Sequence, residues 1–135
     1  MKQTALITGA SSGIGLELAK VFARNSYNLI LVARNEEQLK TAAKQLETRF
    51  HVSARTMVQD LSNPSSVREI FNQTVSLGIQ VDVLVNNAGA GLNGKFTENK
   101  IEDEMGIIQL NITALAALCN LFGKEMVKRG SGRIL

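Results

Sequence analysis

The sequence predicts a doubly wound α/β fold around a parallel sheet. Three observations carry that reading. Short runs of branched apolar residues recur along the chain, and between successive runs the apolar residues change to helical spacing. The runs themselves are apolar almost without interruption, as in Leu29-Ile30-Leu31-Val32, which is the pattern of strands buried on both faces. Strands joined by helices in this order imply right-handed crossovers that place helices on both sides of one sheet.

The first strand is read at Ala5-Leu6-Ile7, and a glycine-rich turn separates it from a helix with Ile14, Leu18, Val21 and Phe22 as its stripe. The second strand, Leu29 to Val32, is followed by a helix with Leu39, Ala42, Ala43 and Leu46. The third runs from Val52 to Val58. After it, Ser62-Asn63-Pro64-Ser65 supplies cap residues and an early proline before the stripe Val67, Ile70, Phe71, Val75. Val81 to Val85 is the fourth strand.

A long helical pattern then spans residues 101–126. Ile101, Met105, Ile108, Ile112, Leu115, Cys119, Phe122 and Met126 form one stripe, and Ile107, Leu110, Ala114, Leu118 and Leu121 a second, roughly 120° away. One stripe covers the sheet and the other needs a partner, either a neighbouring helix or a second subunit in a homo-oligomer built through this helix. Asn111 falls between the stripes, where an amide costs on the order of 1 to 3 kcal/mol unless it is hydrogen-bonded. Arg133-Ile134-Leu135 begins a fifth strand, so the fold is expected to be truncated at the start of that element.

The 135 residues suit one domain, 44% hydrophobic and 20% charged. A net charge of +3 is spread through the helices among acidic residues, as in Glu36-Glu37-Gln38-Leu39-Lys40, so solvated faces are expected and no nucleic-acid partner. Cys119 is the single cysteine and His51 the single histidine, which argues against a disulfide or a metal centre and fits a reducing compartment. The apolar run near the start is too short for a signal peptide, and no stretch is read as a membrane span of about 18 residues. A cytoplasmic protein without a membrane partner is therefore expected.

Thr8-Gly9-Ala10-Ser11-Ser12-Gly13-Ile14-Gly15 lies between the first strand and the first helix. Glycines there permit a tight turn and close backbone approach, and a helix amino terminus attracts a diphosphate. A P-loop is excluded, because only three residues separate Gly9 from Gly13 and no lysine follows.

With these residues the sequence resembles the classical short-chain dehydrogenases/reductases. Thr8, Gly9, Gly13, Ile14 and Gly15 match the family's T-G-x-x-x-G-I-G, Asp60-Leu61 follows the third strand, and Asn86-Asn87-Ala88-Gly89 matches its N-N-A-G after the fourth. The resemblance implies a Rossmann-type dinucleotide-binding portion over residues 1–135. It further implies that Asp60 accepts from the adenine amino group, that the Leu61 backbone supports the ring, and that Asn87, Ala88 and Gly89 line the adenosine ribose. Asn111 matches the family's catalytic asparagine, which holds a water on a proton relay.

No acid follows the second strand; Arg34 stands there, with a planar fork of donors suited to a 2′-phosphate. NADP(H) is therefore expected over NAD(H), with Ser11 or Ser12 adding a hydroxyl. The family's Tyr-x-x-x-Lys and its serine have no counterpart: the only tyrosine is Tyr27, and Ser131 precedes the fifth strand. The expectation is a carbonyl/secondary-alcohol oxidoreductase of which this chain is the amino-terminal part, inactive alone. A non-catalytic dinucleotide-binding module is the alternative; a methyltransferase is disfavoured for want of an acid after the second strand.

Overall fold

The computed structural model describes residues 2–135. Five parallel strands form one sheet in the order β3-β2-β1-β4-β5: β1 (Thr4–Thr8), β2 (Asn28–Ala33), β3 (Ala54–Val58), β4 (Val83–Val85) and β5 (Arg133–Ile134). The chain winds outward from β1 to β3, then returns across the sheet to place β4 on the other side of β1. This reversal makes a crevice beyond the carboxyl ends of β1 and β4, where open α/β sheets receive ligands.

Alternation along the strands divides the core into two layers. Ala5, Ile7, Leu29 and Leu31 pack with α1 (Gly13–Arg24) and α2 (Glu36–Phe50), while Leu6, Ile30, Val32 and Leu84 pack with α3 (Ser66–Ser76) and α5 (Ala114–Lys128). The predicted stripe of α2 is buried as read, at Leu39, Ala42, Ala43 and Leu46. Asn35 caps this helix by accepting from the Gln38 N–H at 2.9 Å.

Two helices are rotated from their predicted faces. In α1 the buried stripe is Gly15, Ala19 and Ala23, with Ile14 and Val21 exposed. Small residues let the helix lie close to the sheet, which outweighs burying the larger side chains one position away. In α3 the chain buries Val67, Ile70 and Thr74 and exposes Val75. Thr74 tolerates this because its hydroxyl donates to the Ile70 carbonyl at 2.7 Å. The turn before α3 also differs from a simple cap: Ser65 is the N-cap residue, but its hydroxyl donates to Glu69 at 2.7 Å.

The expected continuous helix over 101–126 is instead three pieces. α4 (Ile101–Ile108) leads into a π turn over Gln109–Thr113, closed by the Ala114 N–H donating to the Gln109 carbonyl, and α5 follows. A wider turn shifts the face presented downstream, so neither predicted stripe runs through. Ala114 and Leu118 of one stripe and Phe122 and Met126 of the other are buried on the sheet. Ile101, Met105, Ile108, Ile112 and Leu115 remain exposed, and α4 buries no residue.

The same segment is longer and more apolar than the sequence reading allowed. Residues 101–128 contain an 18-residue window of mean hydropathy 1.6, long and apolar enough by length and composition to cross a membrane, and only 17% of that window is buried.

β3 and β4 each start two residues later than read, although Val52 and Val81 are buried just before them. β5 pairs with β4, and the ladder continues through the Leu135 N–H to the Leu84 carbonyl at 2.9 Å.

Leu6 is fully buried and Met105 is about half exposed. Leu6→Ala should destabilise the chain by about 2 to 5 kcal/mol in urea unfolding, and Met105→Ala by no more than about 0.5 kcal/mol.

Candidate functional site

A cleft of about 740 Å³ opens at the switch point. Its walls come from four turns: Gly9, Ser11 and Ser12 after β1; Val32 to Asn35 with Gln38 after β2; Gln59, Asp60 and Leu61 after β3; and Asn87 to Ala90 after β4. Leu110, from the π turn, completes the lining.

The turns after β1 and β4 are joined through Thr8 and Asn87. The buried Thr8 hydroxyl oxygen accepts from the backbone N–H of Asn87 at 3.0 Å and of Ala88 at 2.9 Å, and donates to the Val85 carbonyl at 3.3 Å. Asn87 reciprocates: its side-chain amide donates to the carbonyls of Thr8 at 3.0 Å and Gly9 at 3.2 Å. The two turns are so close that glycine is required at two positions. A Cβ on Gly9, which has φ of +66°, would lie 2.8 Å from the Asn87 amide nitrogen, and one on Gly15 would overlap the Gly9 carbonyl oxygen.

The amino end of α1 faces this region without a side-chain cap. Ser12 occupies the N-cap position but makes no capping bond, and the first turn has no acidic residue. Its unpaired N–H groups and positive dipole end are therefore available to an anion.

On the opposite wall, Asp60 and Arg34 are both exposed to the cleft. The Asp60 Oδ1 accepts from the Ser62 hydroxyl at 2.7 Å and from its N–H at 2.9 Å. The hydroxyl bond is the main cause holding the Asp60 carboxyl below its usual range; partial burial opposes it, and the Ser62 N–H and the Arg34 charge assist. Gln59 is anchored through its amide, which donates to Glu69 at 2.9 Å.

Asn111 finds the partner its helical position demands. Its Oδ1 accepts from the Ala90 N–H at 3.0 Å and its Nδ2 donates to the Ala90 carbonyl at 2.7 Å. The amide thus ties the π turn to the loop after β4. Cys119, on the first predicted stripe, is half-buried and accepts from the Asn86 amide at 3.3 Å.

Of the residues singled out from sequence, Gly9, Ser11, Ser12, Arg34, Asp60, Leu61, Asn87, Ala88 and Gly89 line the cleft. Thr8 and Gly15 lie buried behind it. Gly13 and Ile14 sit on the exposed amino end of α1, and Asn111 stands beside Leu110 outside the lining. Asn35, Gln38, Gln59 and Ala90 were not anticipated. Only the Asn35-x-x-Gln38 spacing, a capping signal, could have drawn attention to two of them.

A family model described as short chain dehydrogenase matches residues 3–135. The oxidoreductase UcpA of Salmonella typhimurium is 37% identical over 133 residues, covering 98% of this chain and 50% of that protein. A short-chain dehydrogenase from Sphingobium yanoikuyae, solved in complex with NADPH, superposes with a TM-score of 0.92 at 35% identity, covering 98% of this chain and 51% of that one. The L-sorbose reductase of Gluconobacter frateurii, complexed with NADPH and L-sorbose, gives 0.92 at 34% identity, with 98% and 51% covered. The chain spans about half the length of the curated relatives it matches.

Replacing Thr8 by the isosteric valine would leave the Asn87 and Ala88 N–H groups without their acceptor. Thr8→Val should lower stability by about 2 kcal/mol or more, read as a fall in the urea midpoint.

Proposed function

This chain belongs to the short-chain dehydrogenase family, and from that premise we propose that its cleft holds NADP(H) for a reductase interconverting a carbonyl and a secondary alcohol. The observation that carries this reading is the pairing, across one cleft, of an uncapped helix amino terminus with Arg34 and Asp60. The first suits a diphosphate, and the other two suit the adenosine end of the same molecule.

The residues present fit such a cofactor. Gly9 and Gly13 allow the backbone turn, Gly15 lets α1 approach it, and Thr8 with Ile14 completes the motif. The Arg34 guanidinium offers its donors to a 2′-phosphate, with the Ser11 and Ser12 hydroxyls across the cleft. Among the described residues no donor reaches one Asp60 carboxylate oxygen, and it accepts the adenine amino group there, while the Leu61 backbone supports the ring. Asn87, Ala88 and Gly89 line the ribose. The NADPH complexes of relatives at 34% and 35% identity support the same preference.

When bound, the cofactor supplies hydride from C4 of its nicotinamide. Asn111 acts on the proton side. Its side-chain amide exchanges two hydrogen bonds with Ala90, which fixes the place where it would hold a water on the relay. The chain contains no Tyr-x-x-x-Lys, so purified residues 1–135 should show no carbonyl-dependent NADPH oxidation in an absorbance assay. The exposed apolar residues of α4 and α5 serve a homo-oligomeric contact, and the single cysteine suits the cytoplasm.

Calorimetric titration with adenosine 2′,5′-bisphosphate and adenosine 5′-monophosphate tests the cofactor reading on the adenosine end alone. The bisphosphate should bind about tenfold tighter or more, and Arg34→Ala should remove most of that advantage. Equal binding, or tighter binding of NAD than NADP, would overturn it.

A further inference from the structure

Asp60 is held at both ends by serines of the turn that follows it. Its main-chain carbonyl accepts from the hydroxyl of Ser66, which is buried, at 2.6 Å and from the Asn63 N–H at 2.9 Å. Its carboxylate Oδ1 accepts from both the N–H and the hydroxyl of Ser62. Among the described residues no donor reaches Oδ2, so one carboxylate oxygen is saturated and the other is left to the cleft.

A surface aspartate ordinarily samples several rotamers, and its two oxygens exchange places. Two donors from one residue fix the rotamer and fix which oxygen is free. The backbone N–H of Ser62 would close the turn for any residue other than proline, so the turn does not explain the hydroxyl. The hydroxyl adds a charge-assisted bond that holds the carboxylate ionised and correctly turned before a ligand arrives, which reduces the ordering cost of binding.

We propose that Ser62 is a positioning residue that orients Asp60 as an acceptor and thereby sets the selectivity of the cleft for a 6-aminopurine over a 6-oxopurine. The proposal rests on the reading of Asp60 as the residue that faces the base. A fixed, ionised acceptor favours an amino donor and repels the carbonyl of hypoxanthine, whereas a mobile carboxylate can turn away from it.

The experiment compares adenosine 2′,5′-bisphosphate with inosine 2′,5′-bisphosphate, which carry the same phosphates, in calorimetric titrations of the 135-residue chain. Wild type should prefer the adenosine ligand. Ser62→Ala should lower the adenosine-to-inosine preference by about three- to tenfold, the effect of one hydrogen bond acting through its neighbour. Ser62→Thr should restore it, and the Asp60 carboxyl pKa, followed by NMR, should rise towards 3.8 in the alanine variant only. Asp60→Asn separates the two levels. If it leaves the preference intact, Asp60 does not face the base and both readings fall. If it abolishes the preference while Ser62→Ala does not change it, the role of Asp60 stands and that of Ser62 is overturned.

Discussion

The hydroxyl of Thr8 is the point on which the rest of the site depends. It sits at the carboxyl end of the central strand and accepts from two consecutive backbone N–H groups of the turn after β4. Those donors would otherwise be left partly buried without this acceptor, at a cost of about 1 kcal/mol or more each. Asn87 returns two bonds to the carbonyls of Thr8 and Gly9. The outcome is that two turns separated by nearly eighty residues of chain become one rigid wall. Glycine at positions 9 and 15 follows from that closeness, since a methyl group at either would meet the other turn or the Gly9 carbonyl. The cleft is therefore shaped by backbone, and its polar side chains are set around it.

The opposite wall is built differently, from side-chain hydrogen bonds in short polar turns. Asn35 caps α2, Ser62 and Ser66 hold Asp60, and Glu69 restrains Gln59. The lowered pKa of Asp60 belongs to this arrangement. A carboxyl whose folded value lies below its unfolded one adds stability at pH values above the unfolded pKa, and that stability is lost as pH falls through the folded value. The contribution of Asp60 to this wall is thus lost only in the acid range, as its carboxyl becomes protonated.

The segment from α4 to α5 joins the site to an open surface. Asn111 ties the π turn to Ala90, and upstream of it the apolar residues of α4 are exposed. A helix that simply continued at 3.6 residues per turn would keep one face throughout. Here the π turn breaks that face, and an exposed apolar strip lies beside the polar anchor. The strip also explains why this segment has the length and apolarity of a membrane span although its buried residues Ala114, Leu118, Phe122 and Met126 seat it on the sheet.

The sequence by itself determined the βα alternation, the parallel sheet and most of the cleft, because these depend on local signals: runs of Leu, Ile and Val, a glycine-rich turn, and short motifs at strand ends. It led to Arg34 through its place just beyond the second strand, and to Asp60 and Asn87 through motifs that resemble those of the short-chain dehydrogenases, each after a strand whose carboxyl end faces the crevice. Tertiary structure decided what periodicity leaves open. Ile14 and Val21 are exposed because Gly15, Ala19 and Ala23 permit closer packing of α1, and burial depends on how near two surfaces can come, not on hydropathy alone. Asn35, Gln38 and Gln59 joined the cleft only when separate turns met. The π turn was likewise settled by the Asn111 amide pairing with Ala90, twenty-one residues earlier, a long-range hydrogen bond that no helical period encodes.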